Sequence, residues 1–334
     1  MRISICIPAY NRGEYLPELL DSILRQDIYA CELEVVISDN ASTDDTQQVV
    51  DAYRSKFDRL VYHRADENMG ADRNFLKVVE LASGDFCWLM GSDDRLREGA
   101  MAVVEKVLRD YPTVAGISVR RNLRGADMEE LTHTKYEHFN RPSEQIRLID
   151  RADDIFKALG VYVGYLSGNV LSRSQWNRVV AECPVDKFYN AWVHVYVIGQ
   201  MIRRNPQWVY VPSGCVDWRM NNDSFLAEGN YRRLEIDVRG YSDITQALFG
   251  RESPVYRHMM GRMLPHARHR ILATRAQGRE SGFTPKARAL IARYYKPLPS
   301  LWVQILPALY APQPILSAIS KARHSVLERR RARP

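Results

Sequence analysis

The stretch FCWLMGSDDRL, residues 86–96, joins an apolar run to two adjacent acids, Asp93 and Asp94. A short apolar run that stops at polar residues is typical of a buried strand reaching the edge of a sheet. One interpretation is that Asp94 caps the helix predicted to begin near Glu98. Another is that the two carboxylates hold a divalent cation and, through it, a phosphorylated ligand, because hard cations prefer oxygen ligands. The surrounding segments decide between them.

Apolar runs and helix-period segments alternate through the first 120 residues. This alternation predicts an α/β fold in which helices cover a parallel sheet, a Rossmann-like arrangement. The predicted strands lie near residues 3–7, 34–38, 60–63, 86–90 and 114–119, and the predicted helices near 15–25, 45–56, 74–81 and 98–110.

The first four predicted strands are followed by PAYNR, SDNASTDDT, ADENMGADRNF and GSDDR. In such sheets ligands bind beyond the carboxyl ends of the strands, so we expect these four polar segments to line one crevice. Ordinary turn formation is the alternative, although it does not predict acids, an arginine and an aromatic residue around one site. No GxGxxG follows the first strand, which argues against a dinucleotide, and the absence of GxxxxGK[ST] excludes a P-loop.

The net charge of +7 is concentrated near the C-terminus, where the residues from Phe283 onward include ten Lys and Arg and one acid, Glu328. A nucleic-acid enzyme more often has its basic patch on the folded body, so we expect no nucleic-acid partner. The five cysteines are odd in number and form no CxxC pair or Cys/His cluster, which favours reduced thiols in the cytoplasm. The opening apolar run, closed by Pro8, is too short for a secretory signal.

Four segments together resemble the family 2 glycosyltransferases, which are inverting enzymes with the GT-A fold and nucleotide-sugar donors. The segments are SICIPAYNRGEYLPELLDSIL, EVVISDNASTDDT, NMGADRNF and CWLMGSDDRL, the last similar to the family's DXD region. The most similar members are deoxysugar transferases of bacterial O-antigen or capsule synthesis. The resemblance implies a nucleotide-sugar-binding half at 1–120, an acceptor-binding and catalytic half at 121–230, and a helical, membrane-associating C-terminal region at 231–334.

The same resemblance implies roles for the residues that follow the strands. The PAY tripeptide would line the nucleobase and ribose site, Asp39 would accept a hydrogen bond from the base, and Arg73 would lie near the diphosphate or base. Plain turn or ion-pair roles are the competing interpretations. The implied donor-binding residues are Pro8, Ala9, Tyr10, Arg12, Asp39, Arg73, Asp93 and Arg219.

The resemblance also implies a Mg²⁺ or Mn²⁺ ion bound by Asp93 and Asp94, which would offset charge on the departing nucleoside diphosphate. Two positions depart from the family pattern. Gly91 stands where an acid is frequent, and Asn222 stands where a histidine ligand is often found. Asn222 is therefore a third candidate ligand, with a plain turn in MNNDS as the alternative.

Inverting transfer needs a base for the acceptor hydroxyl, and the family commonly supplies it from a Glu-Asp pair at the start of a helix. The matching segment here, YNAWVHVYVIG, contains no acid. His194 is the candidate base, with Asp186 and Asp217 as competitors and a buried structural histidine as the alternative. The segment YLSGN, residues 165–169, is expected to face the acceptor.

We expect transfer to a hydroxyl of an undecaprenyl-diphosphate-linked glycan by an enzyme bound peripherally to the inner face of the cell membrane. The apolar segment 299–320 is interrupted by Pro307, Pro312 and Pro314, so it suits an anionic membrane surface better than a membrane span. A buried helix pair with a solvated basic tail is the alternative. A sugar nucleotidyltransferase would need a glycine-rich, lysine-bearing loop that PAYNRGEY does not provide. The missing Glu-Asp pair leaves open a non-catalytic nucleotide-sugar-binding protein.

Overall fold

The computed structural model describes residues 1–130, 145–278 and 280–318. The basic tail that follows residue 318 lies outside the described residues. The chain divides into two compact units, Met1–Asn222 and Asp223–Pro334.

The first unit contains one mixed sheet, which has nine strands among the described residues. The strands are β1 (Arg2–Ala9), β2 (Glu32–Asp39), β3 (Leu60–Arg64), β4 (Phe86–Leu89), β5 (Arg95–Leu96), β6 (Gly116–Arg124), β7 (Arg147–Ile149), β8 (Asn169–Ser172) and β9 (Trp208–Arg219). Strands β3, β2, β1 and β4 are adjacent in that order and parallel. Antiparallel β8 joins β4 to β6, which runs parallel to β9, while β5 and β7 pair antiparallel with β9. The carboxyl ends of the four parallel strands therefore open on one edge.

Helices cover this sheet and supply the apolar faces that bury it. They are α1 (Leu16–Leu24), α2 (Thr46–Tyr53), α3 (Ala71–Leu81), α4 (Ala100–Asp110), α5 (Ala152–Leu159), α6 (Arg173–Glu182) and α7 (Val193–Arg204). In α1 the buried residues Leu16, Leu19, Leu20 and Ile23 follow helical spacing. Strand β1 is buried along nearly its whole length, which explains its continuous apolar run.

The elements predicted for the first 120 residues are confirmed, with shifts at their ends. Helix α3 begins three residues earlier than predicted because Gly70, with φ of 85°, supplies the turn into Ala71. Strand β6 continues to Arg124, well past the predicted end, because it pairs with β9 throughout that length. The five cysteines are free, as predicted.

The second unit is helical and has its own apolar core. Its helices are α8 (Asn230–Phe249), α9 (Pro254–Gln277), α10 (Phe283–Tyr295) and α11 (Pro299–Tyr310). The prediction that Pro307 interrupts the apolar segment was wrong, because α11 continues through it. Ile305, Ala308 and Leu309 pack into the core of this unit, and their burial outweighs the lost backbone hydrogen bond. No helix in the described part of the chain is both long and apolar enough to cross a bilayer.

Candidate active site

The loops that follow β1 and β2 are fastened to each other at the carboxyl edge of the sheet. The backbone N–H of Asn11 donates to Ser42 Oγ at 2.8 Å, and Asn11 Oδ1 accepts from the N–H of Thr43 at 2.8 Å. The N–H of Gly13 donates to Asp44 Oδ2 at 3.0 Å. These reciprocal bonds hold the two predicted ligand loops as one surface.

Asp39, the last residue of β2, lies fully buried beneath that surface. Its Oδ1 accepts from the N–H of Ser42 at 2.9 Å and its Oδ2 from Tyr62 Oη at 2.7 Å. The Arg64 Nε atom lies 3.9 Å from Oδ2. Each oxygen thus already has a partner, so a nucleobase would have to share one, and the predicted base contact stays a prediction.

Asp93, in the loop after β4, is only half-buried and has few partners. Its Oδ2 accepts from Asn222 Nδ2 at 2.7 Å, and its backbone carbonyl accepts from Arg219 Nε at 3.0 Å. Within the described part of the chain, no other residue donates a hydrogen bond to its Oδ1, and its own backbone N–H is a further donor to the carboxylate. Asp93 is therefore the acid of the pair with an oxygen available to a ligand.

Asp94, its neighbour, is buried and anchored within the chain. Its Oδ1 accepts from the N–H of Arg219 at 3.1 Å, and its Oδ2 accepts from Tyr165 Oη at 2.8 Å and from the hydroxyl of Ser167. Ser167 in turn accepts the N–H of Gly91 at 2.8 Å. The predicted metal ligand Asp94 thus holds the loop in place, and Asp93 is the better placed of the two to meet a cation.

Burial raises the pKa of both acids above the ordinary value. The charge of Asp93 raises the pKa of Asp94 further, against the hydrogen bonds from Ser167 and Tyr165. For Asp93, the nearby charge of Arg12 is the largest effect that lowers the pKa. Two adjacent carboxylates, one half-buried and one buried, make this loop a favourable place for a cation.

Arg219 is one of the implied donor-binding residues, but its guanidinium is buried and engaged within the protein. It donates to Glu18 in α1, to the carbonyl of Ala126 and to the carbonyl of Asp93, and it lies 5.1 Å from the ring centroid of Tyr15. A side chain with these bonds is not positioned to bind a donor without breaking them. In the structure the side chain supports the Asp93 loop, and a role in donor binding stays a prediction.

Asp217 is also occupied. Arg95 Nε lies 3.0 Å from its Oδ2, and Arg124 Nε lies 3.1 Å from its Oδ1. Asn122 Nδ2 donates to Oδ1 at 3.1 Å. Both carboxylate oxygens thus have partners within the chain, and the candidate role of Asp217 as catalytic base stays a prediction.

His194, the leading candidate base, is closed into the protein at the first turn of α7. Its Nε2 lies 3.1 Å from the carbonyl of Gly164, and the ring meets Phe75 edge-on at 5.2 Å. Burial lowers its pKa to about 4. The ring is 2 % exposed, which fits the structural alternative, and the role of His194 as base stays a prediction. The remaining candidate, Asp186, is exposed on the short turn before α7.

The other residues predicted to contact the donor differ in their exposure to solvent. Pro8 and Ala9 are buried within β1, whereas Tyr10 is 44 % exposed at its end. Arg73 is exposed in the first turn of α3, with its guanidinium 5.6 Å from the ring centroid of Tyr189. Arg12 is half-buried, 5.6 Å from the ring centroid of Tyr15.

The sequence interpretation missed the residues that hold the acids. Tyr165 and Ser167 were expected to face the acceptor, yet both donate to Asp94. Glu18 accepts from both Arg95 and Arg219, and Asp72 accepts two backbone N–H groups at the start of α7. No local pattern marks these residues, because each acts on a segment distant in sequence.

Solved structures with a similar fold are glycosyltransferases. The chain aligns with TarS residues 1–349 of S. aureus in complex with UDP-GlcNAc with a TM-score of 0.63 at 14% identity, covering 91% of this chain and 84% of that one. It aligns with the mannosyltransferase PcManGT of Pyrobaculum calidifontis, in complex with GDP-Man and Mn2+, with a TM-score of 0.54 at 19% identity, covering 95% and 86%. The fold is thus that of the GT-A glycosyltransferases.

Sequence comparison gives the family. The glycosyl transferase family 2 model matches residues 4–167. The abequosyltransferase RfbV of Salmonella typhimurium is 31% identical over 260 residues, which is 75% of this chain and 76% of that protein. The chain belongs to glycosyltransferase family 2. A GalNAc(5)-diNAcBac-PP-undecaprenol beta-1,3-glucosyltransferase of Campylobacter jejuni is 32% identical over 117 residues, 34% of this chain and 40% of that protein.

Proposed function

We propose that this glycosyltransferase moves a sugar, with inversion, from a nucleotide-sugar donor to a hydroxyl of a glycan in bacterial O-antigen or capsule synthesis. The observation that supports it best is the half-buried Asp93 at the carboxyl edge of the sheet, whose Oδ1 accepts from no other described residue and whose pKa is lowered by the charge of Arg12. The similarity to RfbV and to the Campylobacter glucosyltransferase supports the surface-glycan setting.

We further propose that Mg²⁺ or Mn²⁺ binds at Asp93. The carboxylate of Asp93 and the amide oxygen of Asn222 are oxygen donors of the kind that these ions prefer, and burial of the Asp93 carboxylate raises its pKa. Among the described residues there is no group of three or more acidic, His or Cys side chains that could hold a metal. Such a site suits an ion that is completed by substrate phosphates and water. When bound, the ion would neutralise charge on the leaving diphosphate.

In this proposal residues 1–120 bind the donor, 121–230 bind the acceptor and 231–334 meet the membrane. Tyr10 offers an exposed ring for the nucleobase, and Arg12 and Arg73 offer guanidinium groups for the diphosphate. Pro8, Ala9 and Asp39 shape the nucleoside pocket from beneath.

The geometry of the three candidate bases also favours a second function. His194 is buried, Asp217 is paired with two arginines and Asp186 is exposed on a turn. None of these three side chains is positioned in a crevice as a base. A non-catalytic nucleotide-sugar-binding protein would show the same arrangement. A single-turnover transfer assay separates the two functions, because only the enzyme forms a glycosidic bond.

We propose that the acceptor is linked to undecaprenyl diphosphate and that the protein works at the anionic inner face of the cell membrane. Helix α11 supports this, because Val303 and Tyr310 are 64% and 55% exposed on a helix whose other face is buried. Residues 283–318 include the exposed cations Lys286, Arg293 and Lys296 and no acid. Each such cation near anionic lipid contributes about 1 kcal/mol.

The membrane proposal is tested by flotation with anionic and neutral liposomes. We expect the wild type to float with anionic vesicles at low salt and the double variant Val303→Asp/Tyr310→Asp to stay behind. The control Ser300→Asp/Gln304→Asp makes the same change of net charge at exposed polar positions of α11. Equal recovery of all three proteins would contradict docking through this face. Removal of α11 is a poorer test, because Ile305 and Leu309 belong to the core.

The catalytic proposal is tested by thermal unfolding with UDP, GDP, CDP and dTDP, each with and without Mn²⁺. A ligand that binds only the folded protein raises the unfolding temperature, so we expect one nucleotide to do so and Mn²⁺ to enlarge the shift. The corresponding nucleotide-sugars are then assayed for transfer to polyprenyl-diphosphate-linked monosaccharides. No shift with any nucleotide would contradict the donor site.

A further inference from the structure

The turn that leads into α7, residues 189–193, has a strained backbone. Ala191 adopts φ of 74°, a left-handed conformation that residues with a Cβ rarely adopt, and its side chain is buried. Strain of this kind persists only where neighbouring groups hold it, and it is concentrated at functional sites.

Asp72, in the first turn of α3, holds this turn from within. Its Oδ2 accepts from the N–H of Ala191 at 2.7 Å and its Oδ1 from the N–H of Val193 at 2.9 Å. Asp72 is 9% exposed, and within the described residues it forms no ion pair. Burial raises its pKa, and the two N–H groups oppose that shift. The two N–H groups of the turn therefore stabilise the Asp72 carboxylate, and the same two hydrogen bonds stabilise the conformation of the turn.

The next residue of α3 holds the outer side of the same turn. The guanidinium of Arg73 lies 5.6 Å from the ring centroid of Tyr189, which is 40% exposed. Asn74 Nδ2 then donates to the carbonyl of Ala9 at 3.3 Å. The first turn of α3 is thereby fixed to the carboxyl end of β1, and residues 189–193 are fixed to α3.

The turn is also connected to the acid pair from its other side. His194, directly after it, lies 3.1 Å by its Nε2 from the carbonyl of Gly164. Tyr165, which follows Gly164 in the chain, donates to Asp94 Oδ2 at 2.8 Å. The turn thus lies between the α3 arginine and the loop that supports Asp93 and Asp94.

We propose that Asp72 is a positioning residue for sugar transfer, and that the turn it holds is a wall of the acceptor site. This inference rests on the proposed function. Asp72 acts through Ala191 and Val193 and does not touch substrate. Tyr189 provides the half-exposed aromatic face that stacks on a sugar ring, and its position is set by the turn and by Arg73.

The test is the variant Asp72→Asn, which keeps the size of the side chain but replaces one accepting oxygen by a donor. We expect kcat for transfer to a polyprenyl-diphosphate-linked monosaccharide to fall at least tenfold. Affinity for the nucleoside diphosphate and the rate of donor hydrolysis by water should stay within twofold. The control Ser253→Ala removes the N-cap bond of α9, 3.0 Å to the N–H of Tyr256, and should leave both rates unchanged.

Two further variants keep the inference open to refutation if Asp72→Asn folds poorly. Tyr189→Ala changes an exposed ring and should raise the acceptor KM at least fivefold with donor affinity unchanged. Ala191→Gly, added to Asp72→Asn, removes the strain and should recover transfer several-fold over the single variant. Unchanged acceptor KM in Tyr189→Ala, or equal losses of transfer and donor hydrolysis in Asp72→Asn, would overturn the inference alone. Absence of any transfer by the wild type would overturn both it and the proposed function.

Discussion

Two acids at opposite edges of the sheet in the first unit, Glu34 and Asp93, have different surroundings. At the amino edge, Glu34 accepts from Ser4 Oγ at 2.5 Å and from the N–H and hydroxyl of Ser83 at 2.8 and 2.7 Å, with Arg59 at 3.3 Å. Burial alone would raise its pKa, but these partners outweigh it and leave the pKa below the ordinary value.

At the carboxyl edge the balance is reversed. The pKa of Asp93 is raised by burial, and Asn222 is the one other residue in the described part of the chain whose hydrogen bond to its side chain is present. Glu34 has a partner on each oxygen and contributes to folding, whereas no other described residue donates to Oδ1 of Asp93. If Asp93 binds a ligand as proposed, the difference separates structural from functional charge within one sheet.

The largest expected effect is at the carboxyl edge. Asp93→Ala should lower transfer at least 100-fold, about 3 kcal/mol of transition-state stabilisation, because it removes the available carboxylate beside the leaving diphosphate. It should also abolish the enhancement of nucleotide binding by Mn²⁺ while the unfolding temperature stays near that of the wild type.

The control for this variant is Glu34→Gln, which should leave kcat unchanged. Near-normal turnover of Asp93→Ala would remove the distinction between the two edges. Asp94→Ala should also lose transfer, but with a lower unfolding temperature, because Asp94 accepts bonds from Tyr165, Ser167 and Arg219.

His194 extends the comparison. It was a candidate base for the site at the carboxyl edge, but it is buried, as Glu34 is at the amino edge. Its pKa is lowered from 6.5 to about 4, so the unfolded chain binds its proton at higher pH than the folded protein does. The stability that its neutral form contributes is complete above pH 6.5 and is lost as the pH falls toward 4, by about 2 to 3 kcal/mol.

The measurement is urea unfolding of the wild type and of His194→Gln at pH 7.5 and 4.5. The difference in unfolding free energy between the two proteins should shrink at the lower pH, because only the wild type has this titrating ring. A variant of normal stability at both pH values, with turnover lost throughout, would restore His194 as the base.

At the amino edge, we expect a substitution to lower the unfolding free energy without lowering turnover. Glu34→Gln keeps one accepting oxygen and leaves part of the set formed by Ser4, Ser83 and Arg59 unsatisfied, which should cost about 2 kcal/mol of unfolding free energy at pH 7. Because the folded pKa of Glu34 is depressed, its contribution is present above the unfolded value and is lost as the pH falls through the folded pKa. A turnover defect per folded molecule would show that this edge also serves catalysis.

Local pattern predicted the parallel strands, their helices and the edge at which polar segments meet, because apolar periodicity is written in consecutive residues. It also singled out Asp93 and Asp94 as candidate ligands. It did not distinguish Asp93 from Asp94, since the partners that occupy Asp94 lie 71, 73 and 125 residues away in the chain. The burial of His194 depends in the same way on Phe75 and Gly164. The residue spacing within α7 does not predict these contacts.

The smallest expected effect compares one arginine from each edge. Arg12 lowers the pKa of Asp93 by its charge, whereas Arg59 lies 3.3 Å from Glu34 with half of its side chain exposed. Arg12→Gln should weaken binding of the nucleoside diphosphate about tenfold, about 1.4 kcal/mol, because a cation near the phosphates is lost. The loss should be larger at 50 mM than at 300 mM salt, since salt screens a half-exposed charge. Arg59→Gln removes the same charge from the opposite edge and should leave nucleotide affinity within twofold at both salt concentrations. Titration calorimetry with the nucleotide found in the thermal screen measures both variants. Equal weakening by the two substitutions would mean that the effect reflects net charge, and the carboxyl edge would then have no special place in donor binding.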